Sequence, residues 1–122
     1  FVDFRKAYST IEMILIKGNH DILSEQSFNN AEIKVLESLT VGPFLFTHDR
    51  QETDLYNIHG HIHPSIRLRG KGRQSLRVPC YFFGNDYGIL PSFGDFTGSF
   101  TLKPVDGDAV FVPGQKETMR VF

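Results

Sequence analysis

The chain has 122 residues, 40% of them apolar and 22% charged, with a formal net charge of −1. This is enough for one domain, residues 1–122, and not for two, and such a domain buries roughly two-thirds of its unfolded surface. The charge gives no global field for nucleic acid or membrane, no apolar run nears the ~20 residues of a membrane span, and the single cysteine, Cys80, excludes an internal disulfide and fits a reducing, cytoplasmic setting.

Residues 1–8 read as the last turns of a helix, with Phe1, Phe4 and Ala7 or Tyr8 at helical spacing. They show no secretory leader pattern, and the first residue is Phe1 rather than Met, which fits a fragment or a processed piece of a longer protein. Met13-Ile14-Leu15-Ile16 is apolar without alternation and predicts a strand buried on both faces. Ile33, Val35 and Leu39 suggest another strand, and Phe44-Leu45-Phe46 and Leu55-Tyr56-Asn57-Ile58 read as two more. From Pro64 onward the pattern is mainly antiparallel. Ile66-Arg67-Leu68-Arg69 alternates, Gly70-Lys71-Gly72 turns, and Leu76, Val78, Cys80 and Phe82 alternate again, which predicts a hairpin with one buried face. Gly84-Asn85-Asp86 and Asp106-Gly107 are turn signals, and residues 91–99 hold too many turn formers for regular structure.

Polar clusters follow the apolar runs directly: Gly18-Asn19-His20-Asp21, then Thr47-His48-Asp49, then Gly60-His61-Ile62-His63. In open α/β sheets ligands bind beyond the carboxyl ends of strands, so three strand ends could present their loops to one place. Neutral imidazole suits Zn, Mn and Fe, and an asparagine oxygen is a harder ligand that could join it. His61 and His63 in a turn can reach neighbouring ions, and Gly60 removes a Cβ where the backbone would turn around the site. Gly18 permits a sharp turn. Asp21 can hold His20 in its charged form, which makes His20 a natural proton donor. His59 lies within a predicted strand and reads as structural or as a support behind the ligands.

Together the clusters resemble the calcineurin-like metallophosphoesterases, whose Gly-Asn-His-Asp and Gly-His-x-His motifs match residues 18–21 and 60–63 in the family's order, with His48 between them. Pro79-Cys80-Tyr81-Phe82 and Leu90-Pro91-Ser92-Phe93-Gly94-Asp95-Phe96-Thr97-Gly98 look like the tail of the ligase-associated subgroup, bacterial proteins tied to the DNA-damage response. The resemblance runs from Met13 to about Gly98 and implies an α/β (α+β) fold: the C-terminal part of a β-sandwich, mostly strands with few helices. It further implies that Asn19, His48 and His61 bind one divalent ion and His63 another, Mn foremost and Fe or Zn as alternatives. His20, aided by Asp21, would protonate the leaving group. A phosphoester substrate such as DNA or RNA, hydrolysed by a two-metal-activated water, is the implied function, with DNA-repair proteins as partners.

The sequence also departs from the family. The earlier Asp-x-His and Gly-Asp motifs do not occur before Gly18, where Asp3 and Glu12 are the only acids. The first strands of the sheet would then be missing, and a second copy could cover the bare face. The expectation is weak metal binding and poor hydrolysis by this chain alone. The alternative is a truncated, non-catalytic relative that binds metal, nucleic acid or a partner. A closed structural metal site is disfavoured, because such sites are rich in Cys.

One further pattern stands apart. Arg67, Arg69, Arg73 and Arg77 take odd positions of the predicted hairpin with Lys71 at its turn, and no acid occurs from Pro64 to Asn85. Arg67 and Arg69 could contact phosphates, or the charges could simply solvate the face and discourage edge pairing.

Overall fold

The structure, a computed structural model, describes residues 2–19, 24–94 and 98–122, with the side chain of Val2 left aside. Among the described residues it is mostly strand with two short helices, as the α+β reading expects. The helix α1, Val2–Ala7, leads to the strand β1, Met13–Ile16. The helix α2, Glu25–Asn30, starts at Ser24, whose hydroxyl accepts from Ser27 N–H and so satisfies one of the free donors of the first turn. It feeds β2, Ile33–Leu36. β1 and β2 form a parallel two-stranded sheet with Met13 opposite Ile33.

The single strand expected from Ile33 to Leu39 is in fact two. β2 ends at Leu36, and β3, Ser38–Val41, turns back into an antiparallel pair with β4, Phe44–Thr47. β5 is Tyr56–His59, β6 Pro64–Arg69, β7 Ser75–Pro79, β8 Tyr81–Phe83 and β9 Tyr87–Ile89. The last strands are β10, Phe100–Thr101, β11, Ala109–Pro113, and β12, Thr118–Arg120. Seven strands form one sheet in the order β12-β11-β8-β9-β5-β4-β3, and β10-β6-β7 form another.

β4, β5 and β9 run parallel, with Thr47 opposite His59 and His59 opposite Ile89. A parallel pair sends both chains out at the same edge, so the loops after Thr47 and after His59 leave side by side. This register is what places the site. The core lies toward the other end of the sheet, where Ile66, Cys80, Phe82, Ile89, Val110 and Val112 are buried against one another.

Two expectations need correction. β1 is half-buried along its length rather than sandwiched, since its two-stranded sheet contributes no residue to the buried core cluster. The alternation from Leu76 to Phe82 also crosses between sheets: β7 pairs with β6, while β8 pairs with β11 and β9. The switch falls at Pro79, which has no N–H to give a ladder, and Cys80 N–H donates instead to Pro64 O. The turns at residues 84–87 and 105–108 form as read, closed by Gly84 N–H to Tyr87 O and Asp108 N–H to Val105 O. No described helix is long and apolar enough to cross a membrane.

Candidate metal centre

Three strand ends meet. Asn19 follows β1, His48 follows β4 directly, and His61 lies just past β5. His48 Nε2 stands 3.0 Å from Asn19 Oδ1 and 3.0 Å from His61 Nδ1. The two imidazoles pack edge to face with centroids 5.0 Å apart. On its far side His61 Nε2 is 3.5 Å from Asp49 Oδ1. Ligand atoms of His48, Asp49 and His61 all lie within 4.8 Å of one another, a group that could hold a metal ion.

The donor chemistry fits a cation. His48 Nε2 carries either one hydrogen or one lone pair, so it cannot satisfy both an amide oxygen and a second ring nitrogen at the same distance. A positive ion among them accepts lone pairs from all three. With its hydrogen on Nε2, His61 would turn its Nδ1 lone pair toward His48, and the Asp49 carboxylate 3.5 Å away would then stand behind the ring as carboxylates often do behind metal-bound histidines.

The surrounding chain holds these groups in place. Asn57, buried at the centre of β5, donates to Leu45 O at 3.0 Å and Thr47 Oγ1 at 2.9 Å, and accepts from Gln51 N–H at 2.9 Å. Thr47 Oγ1 in turn donates to Asp49 O. Arg50 pairs with Asp86 at 3.2 Å and lies 4.0 Å over the Tyr87 ring. Gly60 N–H donates to His48 O at 3.0 Å, which adds a rung between the two loops.

His61 and His63 both adopt left-handed backbone, with φ of 65° and 50°. For non-glycine residues this conformation costs roughly 1–2 kcal/mol each, and such outliers cluster at functional sites. His63 is turned to a different partner: its Nδ1 lies 2.9 Å from Gly98 O. His20 and Asp21, expected to carry the proton chemistry, lie outside the described residues.

The glycines act differently from the expectation. Gly18 is needed for closeness, because a Cβ there would stand 2.8 Å from His48 Cε1. Gly60 is not crowded, as its nearest neighbour would be His48 O at 4.0 Å. An open concavity of about 430 Å³ adjoins the cluster, lined by Lys17, Glu37 and Gln51 as well as Asn19, His48 and Asp49.

His59 is buried, with its Nδ1 3.1 Å from Gly60 O and its ring 6.3 Å from that of Tyr87. Burial lowers its pKa below the usual histidine value, and its Nε2 has no hydrogen-bond partner among the described residues. Asp49 had no assigned role in the sequence reading. The signal was present, a carboxylate next to a strand-end histidine.

No protein-family model and no curated protein matches the sequence. Among solved structures, the chain is similar to the nuclease MPE of Pseudomonas putida, at 29% identity and a TM-score of 0.78. The match covers 98% of this chain, which spans 58% of the length of that nuclease. The two share a fold.

Proposed function

We propose that this chain carries metal-binding and substrate-facing parts of a phosphodiesterase that cleaves nucleic acid. One observation carries the reading: Asn19, His48 and His61 converge, in the order the motifs lead one to expect, on a fold shared with a nuclease. Asn19, His48 and His61 would hold one divalent ion, with Asp49 orienting His61 from behind, and His63 would serve a second. When bound, such ions supply Lewis acidity to the phosphoryl group and to an attacking water; Mn, Fe and Zn all suit an N/O donor set.

The protein groups have separate tasks in this scheme. Asn19 and the two imidazoles fix positive charge where phosphate oxygens would lie. His20, adjacent in sequence to Asn19, is the proposed proton donor to the leaving oxygen, and Asp21 its charge partner. The open concavity beside the cluster gives a strand room to approach. The Asp-x-His and Gly-Asp motifs are not found before Gly18, so this chain counts three candidate ligands for one ion and a single one for the other. Metal binding is the part of this scheme that Asn19, His48, His61 and His63 carry.

The test is a Mn titration followed by assay on bis-p-nitrophenyl phosphate, comparing the chain with its His48→Ala variant. The expected result is binding that is lost with His48, together with low turnover. Binding unchanged in the variant would overturn the site. Metal bound with no turnover in any assembly would favour the non-catalytic reading.

A further inference from the structure

The hairpin of β6 and β7 joins the site directly, since Pro64 follows His63. Its register places Arg67 opposite Arg77 and Arg69 opposite Ser75. Like charges directly across an antiparallel pair destabilise it, so this pairing asks for a reason. No carboxylate pairs with Arg67, Arg69, Lys71, Arg73 or Arg77 among the described residues. These five are drawn from a chain with only 13 Lys and Arg and a net charge of −1.

The guanidinium of Arg67 is already directed. Its Nη1 donates to Ser75 Oγ at 3.1 Å, which aims it along the hairpin toward the turn. There Arg67, Arg69 and Arg73 line one open groove with Gln74 and Ser75, and none of its lining residues is acidic. On the other side of β6, Lys103 lines a second groove with the same Arg67 and Arg69. The hairpin projects as it leaves the core. Ile66 at its base is buried, whereas Leu76 near its tip is 63% exposed.

Charges beside an open strand edge also discourage strand pairing, and among the described residues β10 covers β6 only at Pro64 and Ser65, so β6 has an open edge beside Arg67 and Arg69. What points to an anion is that Arg67, Arg69 and Arg73 share one groove with no acidic lining.

We propose that this face of the hairpin is a phosphate-backbone clamp for a nucleic-acid strand running from the metal centre, with Arg67, Arg69 and Arg73 as its forks and Arg77 and Lys103 as flanking charges. The ligand's identity rests on the phosphodiesterase reading; the anion-binding face does not. Arginine's planar fork matches phosphate in a bidentate way. At about 3.3 Å per strand residue, Arg67 and Arg69 lie roughly 13 and 20 Å along the chain from His63.

The test measures binding of a labelled oligothymidylate by fluorescence anisotropy across a salt series, in EDTA so that no metal contributes. Wild type, Arg67→Ser/Arg69→Ser and Arg67→Lys/Arg69→Lys are compared. For two lost contacts, the Ser variant should lower the slope of log K against log salt by about 1.4, at roughly 0.7 per phosphate on a single strand. The Lys variant should keep the slope. An unchanged slope in the Ser variant, or no binding by wild type at low salt, overturns the clamp. So does an equal loss in both variants with a lowered Tm, which would assign the arginines to hairpin stability. The phosphodiesterase reading fails by a different result, the absence of Mn binding at His48.

Discussion

Gly18 and His48 are in contact so close that a β-carbon at residue 18 has no room beside the imidazole, at 2.8 Å from Cε1 and 2.9 Å from Nδ1. The ring also makes both contacts at the candidate centre, so any shift is felt there. Gly18→Ala should cost about 1–3 kcal/mol, the usual range for overpacking, and weaken Mn binding at least tenfold. Gly60→Ala is the control. Its φ is not positive and its space is open, so it should keep both stability and metal affinity. Calorimetric titration of the two variants checks the contrast. Equal behaviour would show that His48 simply moves aside.

Asn57 ties the loop of His48 and Asp49 to the sheet through Leu45, Thr47 and Gln51. Asn57→Ala leaves those groups unpaired in a buried place, at about 1–3 kcal/mol for each one left unsatisfied. A total loss of about 3 kcal/mol in urea unfolding is expected, together with weaker metal binding. A loss below about 1 kcal/mol would mean that water replaces the side chain.

Burial lowers the His59 pKa, so the folded state resists protonating this ring. The unfolded chain binds that proton more readily below about pH 6.5. The contribution is complete above that pH, and it is lost as pH falls from there toward the lowered folded value. Wild type should therefore lose stability on acidification in this window. His59→Phe should flatten the profile there. A variant profile parallel to wild type would assign the acid sensitivity to other groups.

Cys80 is fully buried, and burial raises its thiol to about 11. The thiolate is the reactive form, so aromatic disulfide reagents should not label the native chain at pH 8. Labelling should appear with the urea unfolding transition. Rapid native labelling would mean that the core opens around β8.

Much of the site is legible in the sequence because it is built from strand ends. A short apolar run followed within three residues by Asn or His announces a side chain at the edge of a sheet. Asn19, His48 and His61 all follow that pattern, and the structure brings them together. What escapes is whatever depends on distant partners. The even positions from Leu76 to Phe82 form one unbroken pattern, yet Pro79 divides them between two sheets, because period is local and pairing is not. The left-handed backbone of His61 and His63 carries no signature in their side chains. The crowding at Gly18 involves an imidazole 30 positions away, which local reading cannot see.

The placement of β5 between β4 and β9 sets a timetable for assembly. During synthesis, the strand that carries His59 toward His61 emerges well before its second neighbour, which ends at Ile89. At about 5–20 residues per second, that interval lasts roughly 2–6 s. Over those seconds β5 has one open flank, and a nascent chain must keep it from pairing with the wrong strand. Force measurements on ribosome-stalled chains should show no pulling event for this sheet until β9 has cleared the exit tunnel.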